Sequence, residues 1–209
     1  VGAEDVSRSF LRTLWPNEPL PGSLVVWTKS REGKKTSSWC TTLDQAAAVA
    51  AQYCRSHDLY FGVALQGPDA ALSIARQKHP AISLRSVRGS SNSTTAIPGL
   101  WMDIDIKAPA HSQADLPPDL PAALSLLEVV PYEATVLVNS GFGLHAYWLF
   151  REPWVFESAG DRREAQRLVR RLQTSVRAEA AGRGWKLDGT GDLARVLRLP
   201  GTYNHKPER

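Results

Sequence analysis

Apolar residues recur at helical spacing at Val6, Phe10, Leu11 and Leu14, and Trp15-Pro16 ends the pattern, so a helix and a turn are expected over residues 1–20. Leu24 to Thr28 is a β-rich apolar run. The polar, basic stretch from Lys29 to Ser38 reads as a hairpin loop around Gly33. Thr41 and Thr42 each have an acid or amide three residues on, a capping-box pattern that opens an alanine-rich helix from Leu43 to about Ser56. Leu59 to Leu65 reads as one strand and residues 68–79 as a short helix. Arg85 to Thr95 is polar and Gly/Ser-rich, which predicts a mobile loop. Leu100 to Ile106 alternates cleanly as a strand, and Pro121 opens a helix running to about Val129. Thr135–Asn139 and Leu144–Phe150 are two strands joined by a glycine-bearing turn. Ala165, Leu168, Val169, Leu172 and Val176 mark a long amphipathic helix with arginines on its other surface. Short strands are expected at Trp185–Asp188 and Val196–Leu199.

Paired strands with helices between them, and no internal repeat, point to an α+β fold with a mostly antiparallel sheet. The chain has 209 residues, enough for a single domain over 1–209. With 43% apolar and 22% charged residues it has the balance of a soluble globular protein. No apolar run approaches the length of a membrane helix, and no signal peptide is evident, so a cytoplasmic location is expected. The chain starts on Val1 and ends on a polar tail, which reads as a fragment of a longer protein. The net charge of +4 suits a polyanionic partner without requiring one. Cys40 and Cys54 are the only cysteines and form no CxxC pair, so no zinc site is expected.

Three segments carry candidate chemistry. In the strand around Trp101–Ile106, Asp103 and Asp105 point to one face while Met102, Ile104 and Ile106 point to the other. Their Cα atoms lie about 7 Å apart, so both carboxylates can converge on Mg²⁺ or Mn²⁺; the alternative is a solvent-facing strand edge with two charges. Ser140-Gly141-Phe142-Gly143-Leu144-His145 is a tight turn whose backbone N–H groups attract anions, with His145 placed to donate to a phosphate oxygen. A glycine hairpin with a structural histidine is the plain alternative. Near the C-terminus, Asp188 is a candidate third carboxylate and Asp192 its competitor. Arg195 and Arg198 are placed to grip a triphosphate, with Asn204, His205 and Lys206 as further donors, although a polar loop with a cationic strand edge explains the same residues.

Taken together and in order, "DIDI", "SGFGLHAYW" and "LD…RVLRLPGTYNHK" resemble the archaeo-eukaryotic primase superfamily, most closely the primase-polymerases of bacteria, plasmids and phages. The resemblance spans about Tyr60 to Lys206. It implies an RRM-like catalytic core over about 59–206 and a small N-terminal α/β unit over about 1–58. It implies that Asp103, Asp105 and Asp188 (or Asp192) hold two Mg²⁺ or Mn²⁺ ions, and that His145, with Ser140 and Gly143 of the same turn, contacts the incoming nucleotide. Arg195, Arg198, Asn204 and Lys206 complete the nucleotide-binding set. The implied activity is template-directed nucleotidyl transfer from ribo- or deoxynucleoside triphosphates, making or extending primers on single-stranded DNA. A helicase or other replication or repair partner, fused or associated, would lie outside the chain, which has no Walker A loop.

Template contact is expected from Arg85 and Arg88, from Lys29, Lys34 and Lys35, and from the arginine-rich helix, with Trp39 and Trp154 available to stack on bases. Two other readings remain. A metal-dependent nuclease or replication initiator would need a His-x-His pair, which the chain lacks. A non-catalytic nucleic-acid-binding module would show aromatics on its sheet face rather than acids.

Overall fold

The computed structural model describes residues 2–108 and 113–205. Among the described residues, eight strands form two four-stranded sheets in which every strand pair is antiparallel. The chain is α+β, as its sequence predicts. Helix α1 (Ala3–Leu14) lays Phe10, Leu11 and Leu14 into the core. Strands β1 (Leu24–Ser30) and β2 (Lys35–Cys40) form a hairpin that turns at Gly33, where φ is +84°. Helix α2 (Leu43–Tyr53) starts at Thr42, whose side chain accepts from the Gln45 N–H.

The expected single strand at Leu59–Leu65 is two strands in different sheets. Strand β3 (His57–Gly62) pairs with β1, and β4 (Leu65–Gln66) pairs with β5 (Thr94–Asp105). Between them the chain crosses from one sheet to the other, and the Val63 N–H donates to the Arg195 carbonyl. An unbroken apolar run cannot reveal such a crossing, because both halves are buried.

Helix α3 (Pro68–Arg76) leads to residues 84–93, which include two 3₁₀ turns. The loop expected at Arg85–Thr95 is tied down at its C-terminal end, where β5 begins. Buried Gln66 accepts from Ser93 Oγ at 2.8 Å and donates to Thr94 Oγ1 at 3.0 Å. Serines and threonines expected to be solvated serve here as hydrogen-bond partners of a buried amide.

Helix α4 (Leu120–Ser125), capped by Asp119, continues into a 3₁₀ turn ending at Val129. Strands β6 (Val136–Asn139) and β7 (Gly143–Val155) follow, then α5 (Ala159–Gly182), capped by Ser158. Trp185–Asp188 is not a strand. Its backbone is held by loop contacts, with Trp185 N–H donating to Ala180 and Lys186 N–H to Asp115. Strand β8 (Val196–Arg198) is followed by a C-terminal segment described to His205.

The first sheet runs β2-β1-β3-β8 and the second β4-β5-β7-β6. β1 and β2 thus share a sheet with β3 and with β8 from the far end of the chain. One face of the second sheet packs Met102, Ile104, Leu144 and Ala146 with α4 and α5. Trp101 and Tyr147, on its other face, join the core shared with the first sheet. Asp103, Asp105 and His145 belong to that second face, at the end where apolar packing gives way to a cleft.

Candidate active site

The β5–β7 register sets the centre of the site. Asp103 pairs with His145 and Asp105 with Gly143. Directly opposed residues share a sheet face, so His145 Nε2 comes within 3.5 Å of Asp103 Oδ1. Gly143 is required by this packing, since a Cβ there would sit 2.6 Å from the Ile104 carbonyl oxygen. Positive φ falls instead on Gly141, at +92°, where the Asn139 side chain accepts from its N–H.

The first sheet supplies the opposite wall. Tyr60 on β3 pairs with Arg198 on β8. The Arg198 guanidinium is 4.8 Å from the Tyr60 ring centre and donates to the Tyr60 hydroxyl at 3.1 Å. It also donates to Asp58 Oδ1 at 3.1 Å and to the Tyr203 carbonyl at 3.1 Å. The same Asp58 oxygen accepts from the His205 N–H, which ties the C-terminal segment to β3. Asn204, which donates to the Ser140 carbonyl at 3.4 Å, bridges that segment to the glycine turn. Asp103, Asp105, Ser140, His145, Arg198 and Asn204 therefore line one polar cleft, together with Tyr60 and Phe142.

His145 is buried, and burial holds its pKa down to about 4 against the opposing pull of Asp105; Arg198 also lowers it. The imidazole is uncharged at neutral pH. Arg198 is the cationic side chain among the residues lining the cleft. Tyr147, fully buried behind Asp103, has its phenol pushed well up, first by burial and then by Asp103. Burial with its hydroxyl close to a carboxylate keeps that phenol neutral.

The remaining expected residues are placed elsewhere. Asp188 is exposed in the coil after α5 and does not line the cleft. Asp192 is ion-paired to Arg195 at 2.9 Å, and Arg195 also donates to the Gly189 carbonyl. Neither of these two lines the cleft. Among the described residues, no group of three or more His, Cys, Asp or Glu side chains is arranged to hold a metal ion. Lys206 lies outside the described residues. Arg85 and Arg88 are exposed, as are Lys29, Lys34 and Lys35 on the β1–β2 hairpin. Trp39 donates its indole N–H to the Leu84 carbonyl, and Trp154 packs edge-on against Phe156.

Asp58 and Tyr60 were not legible as site residues. Their neighbours in sequence are strand-like and apolar, and only the pairing of β3 with β8 brings them to Arg198. No helix among the described residues is long and apolar enough to cross a membrane.

No family model matches the sequence, and no curated protein matches it. The fold matches a solved structure, the AEP domain (PP-N190) of the cyanophage S-2L primase-polymerase (PrimPol). The TM-score is 0.57 at 15% identity, covering 97% of this chain and 85% of that one. The two-sheet architecture thus shares its fold with that AEP domain.

Proposed function

We propose that the chain is a nucleotidyltransferase of the primase-polymerase type, joining nucleoside triphosphates on a single-stranded DNA template. The observation that carries this reading is the convergence of Asp103, Asp105, His145, Arg198 and Asn204 in one cleft between the sheets of a primase-like fold. Fold likeness alone would not assign chemistry.

Two partly exposed carboxylates on one strand face, lining a polar cleft, are a hard-oxygen donor set. They fit Mg²⁺ or Mn²⁺, since Mg²⁺ is commonly held by one or two carboxylates with water and substrate phosphates as its other ligands. Asp103 and Asp105 would hold the metal, which when bound lowers the pKa of an attacking hydroxyl and offsets charge on the leaving pyrophosphate. A third protein carboxylate is not needed for this donor set.

The chain's own residues do the rest. Arg198, fixed on three sides by Asp58, Tyr60 and Tyr203, presents a charge that need not reorganise when a triphosphate arrives. Neutral His145 donates to a phosphate oxygen without adding charge beside the two aspartates. Asn204 and the glycine turn present polar groups at the cleft edge. The template strand is drawn to the exposed Arg85, Arg88, Lys34 and Lys35.

The test is incorporation of labelled nucleotides on primed and unprimed single-stranded DNA, with Mg²⁺ or Mn²⁺ and with chelator. Template-dependent, metal-dependent extension by the wild type, lost in Asp103→Asn and Asp105→Asn, is expected. Shortening of the DNA would favour a nuclease, and extension by the double variant would overturn the proposal.

A further inference from the structure

The second sheet ends in an unpaired strand. Among the described residues β6 pairs with β7 on one side and with no strand on the other. Its exposure alternates, with Leu137 and Asn139 exposed and Val136 and Val138 half-buried. Edge strands are usually shielded by charge, by a bulge or by a covering element. β6 has neither a lysine nor a proline, and Leu137 is 48% exposed.

Leu137 is also one wall of a largely apolar groove beside this edge, about 530 Å³ in volume. The other apolar walls include Leu124 and Leu127 on and after α4, and Val130, Tyr132 and Ala134 on the segment leading into β6. Tyr132 is 76% exposed, although its carbonyl is fixed by the Trp148 indole N–H at 2.9 Å. The backbone on this side of the groove is therefore positioned while the side chain remains available. Glu128 and Glu133 are both exposed and rim the groove.

We infer that this edge and groove are a docking site for an extended, basic-apolar peptide segment of a partner protein, which adds to the second sheet beside β6. The strand edge offers backbone hydrogen bonds, and the groove takes alternate side chains of an added strand. The acidic rim selects the occupant. On a chain of net charge +4, two carboxylates beside an apolar groove disfavour nucleic acid phosphates. A two-fold contact with a second copy of the chain would bring the same acids against each other. Lysines or arginines flanking apolar anchors match both features. The groove lies on the sheet face opposite His145, since Leu137 is paired with Ala146, while β6 itself runs into the glycine turn that borders the cleft.

The probe is a fluorescein-labelled valine-lysine peptide, with a valine-rich centre flanked by lysines at both ends. Controls are the same peptide with glutamate for lysine and a glycine-serine-lysine peptide of equal charge. Fluorescence polarisation should show binding of the valine-lysine peptide, and amide hydrogen exchange should show new protection in Val136–Asn139. Leu137→Asp should weaken binding at least ~10-fold, as should the double charge reversal Glu128→Lys with Glu133→Lys. Circular dichroism confirms that these surface variants fold. Equal binding of either control peptide, binding unchanged in the folded variants, protection confined to other strands, or self-association through this face in place of peptide binding would each overturn the inference.

Discussion

Asp103 and Asp105 are the residues on which the proposed chemistry depends, and both are partly exposed on a strand whose other face is packed. Replacing either by Asn keeps the size and removes the charge. Metal-dependent incorporation should fall at least ~100-fold in Asp103→Asn and Asp105→Asn, while circular dichroism and thermal unfolding stay near the wild type. His145 gives a second expectation, this time for stability. Its folded pKa is held near 4 and its ordinary value is 6.5, so the unfolded chain binds more protons between these pH values. The stabilisation tied to neutral His145 is complete above about pH 6.5 and is lost as pH falls through about 4. The loss totals about 3 kcal/mol. Urea unfolding from pH 4 to 7 in chelator should show that slope, and His145→Asn should flatten it. Cys40 is a plainer case. Burial pushes its thiol up to about 11, as suits an inert core cysteine.

At the scale of elements, the β5–β7 pair decides whether the acids and the imidazole meet. Its register depends on a glycine that the sequence offers as a flexible turn residue. In the structure Gly143 is already in β7, facing the Ile104 carbonyl. Gly143→Ala should cost about 1–3 kcal/mol by forcing the two strands apart. It should also lower nucleotide incorporation more than its stability loss alone explains, because Asp105 is its direct partner. Chemical denaturation and activity at matched folded fraction check both parts. The strand and helix positions were mostly readable from periodicity. The exceptions were places where a local pattern had two physical solutions. Leu59–Leu65 is apolar whether it stays in one sheet or crosses to another, and Trp185–Asp188 resembles a strand but finds no strand to pair with. The Gly/Ser-rich stretch from 85 is non-strand up to Ser93, as its composition indicates, but that composition does not show that Ser93 and Thr94 bond the buried Gln66 amide.

At the scale of the molecule, Arg198 on β8 and Asp58 on β3, 140 residues apart in sequence, form a largely buried ion pair that closes the first sheet across the ends of the chain. Asp58 also fixes the C-terminal segment through the His205 N–H. Removing one partner leaves the other charge buried without compensation. Asp58→Ala should therefore destabilise the fold by about 3 kcal/mol. It should also raise the KM for the nucleotide, as Arg198 loses its anchor; Asp58→Asn, which keeps a hydrogen-bond acceptor, should recover part of both. Thermal unfolding and steady-state incorporation separate the two effects.

The sequence by itself determined which residues lie together on each element. A strand has a period of two, so Asp103 and Asp105 had to share a face, and His145 had to follow closely on a glycine turn. Tertiary structure alone decided which distant elements face one another. It paired β3 with β8 and turned Arg198 into one wall of the cleft, and it left Asp188 in exposed coil. Local patterns fix orientation through backbone geometry, whereas long-range pairing is chosen by burial summed over the whole chain, which no single segment records.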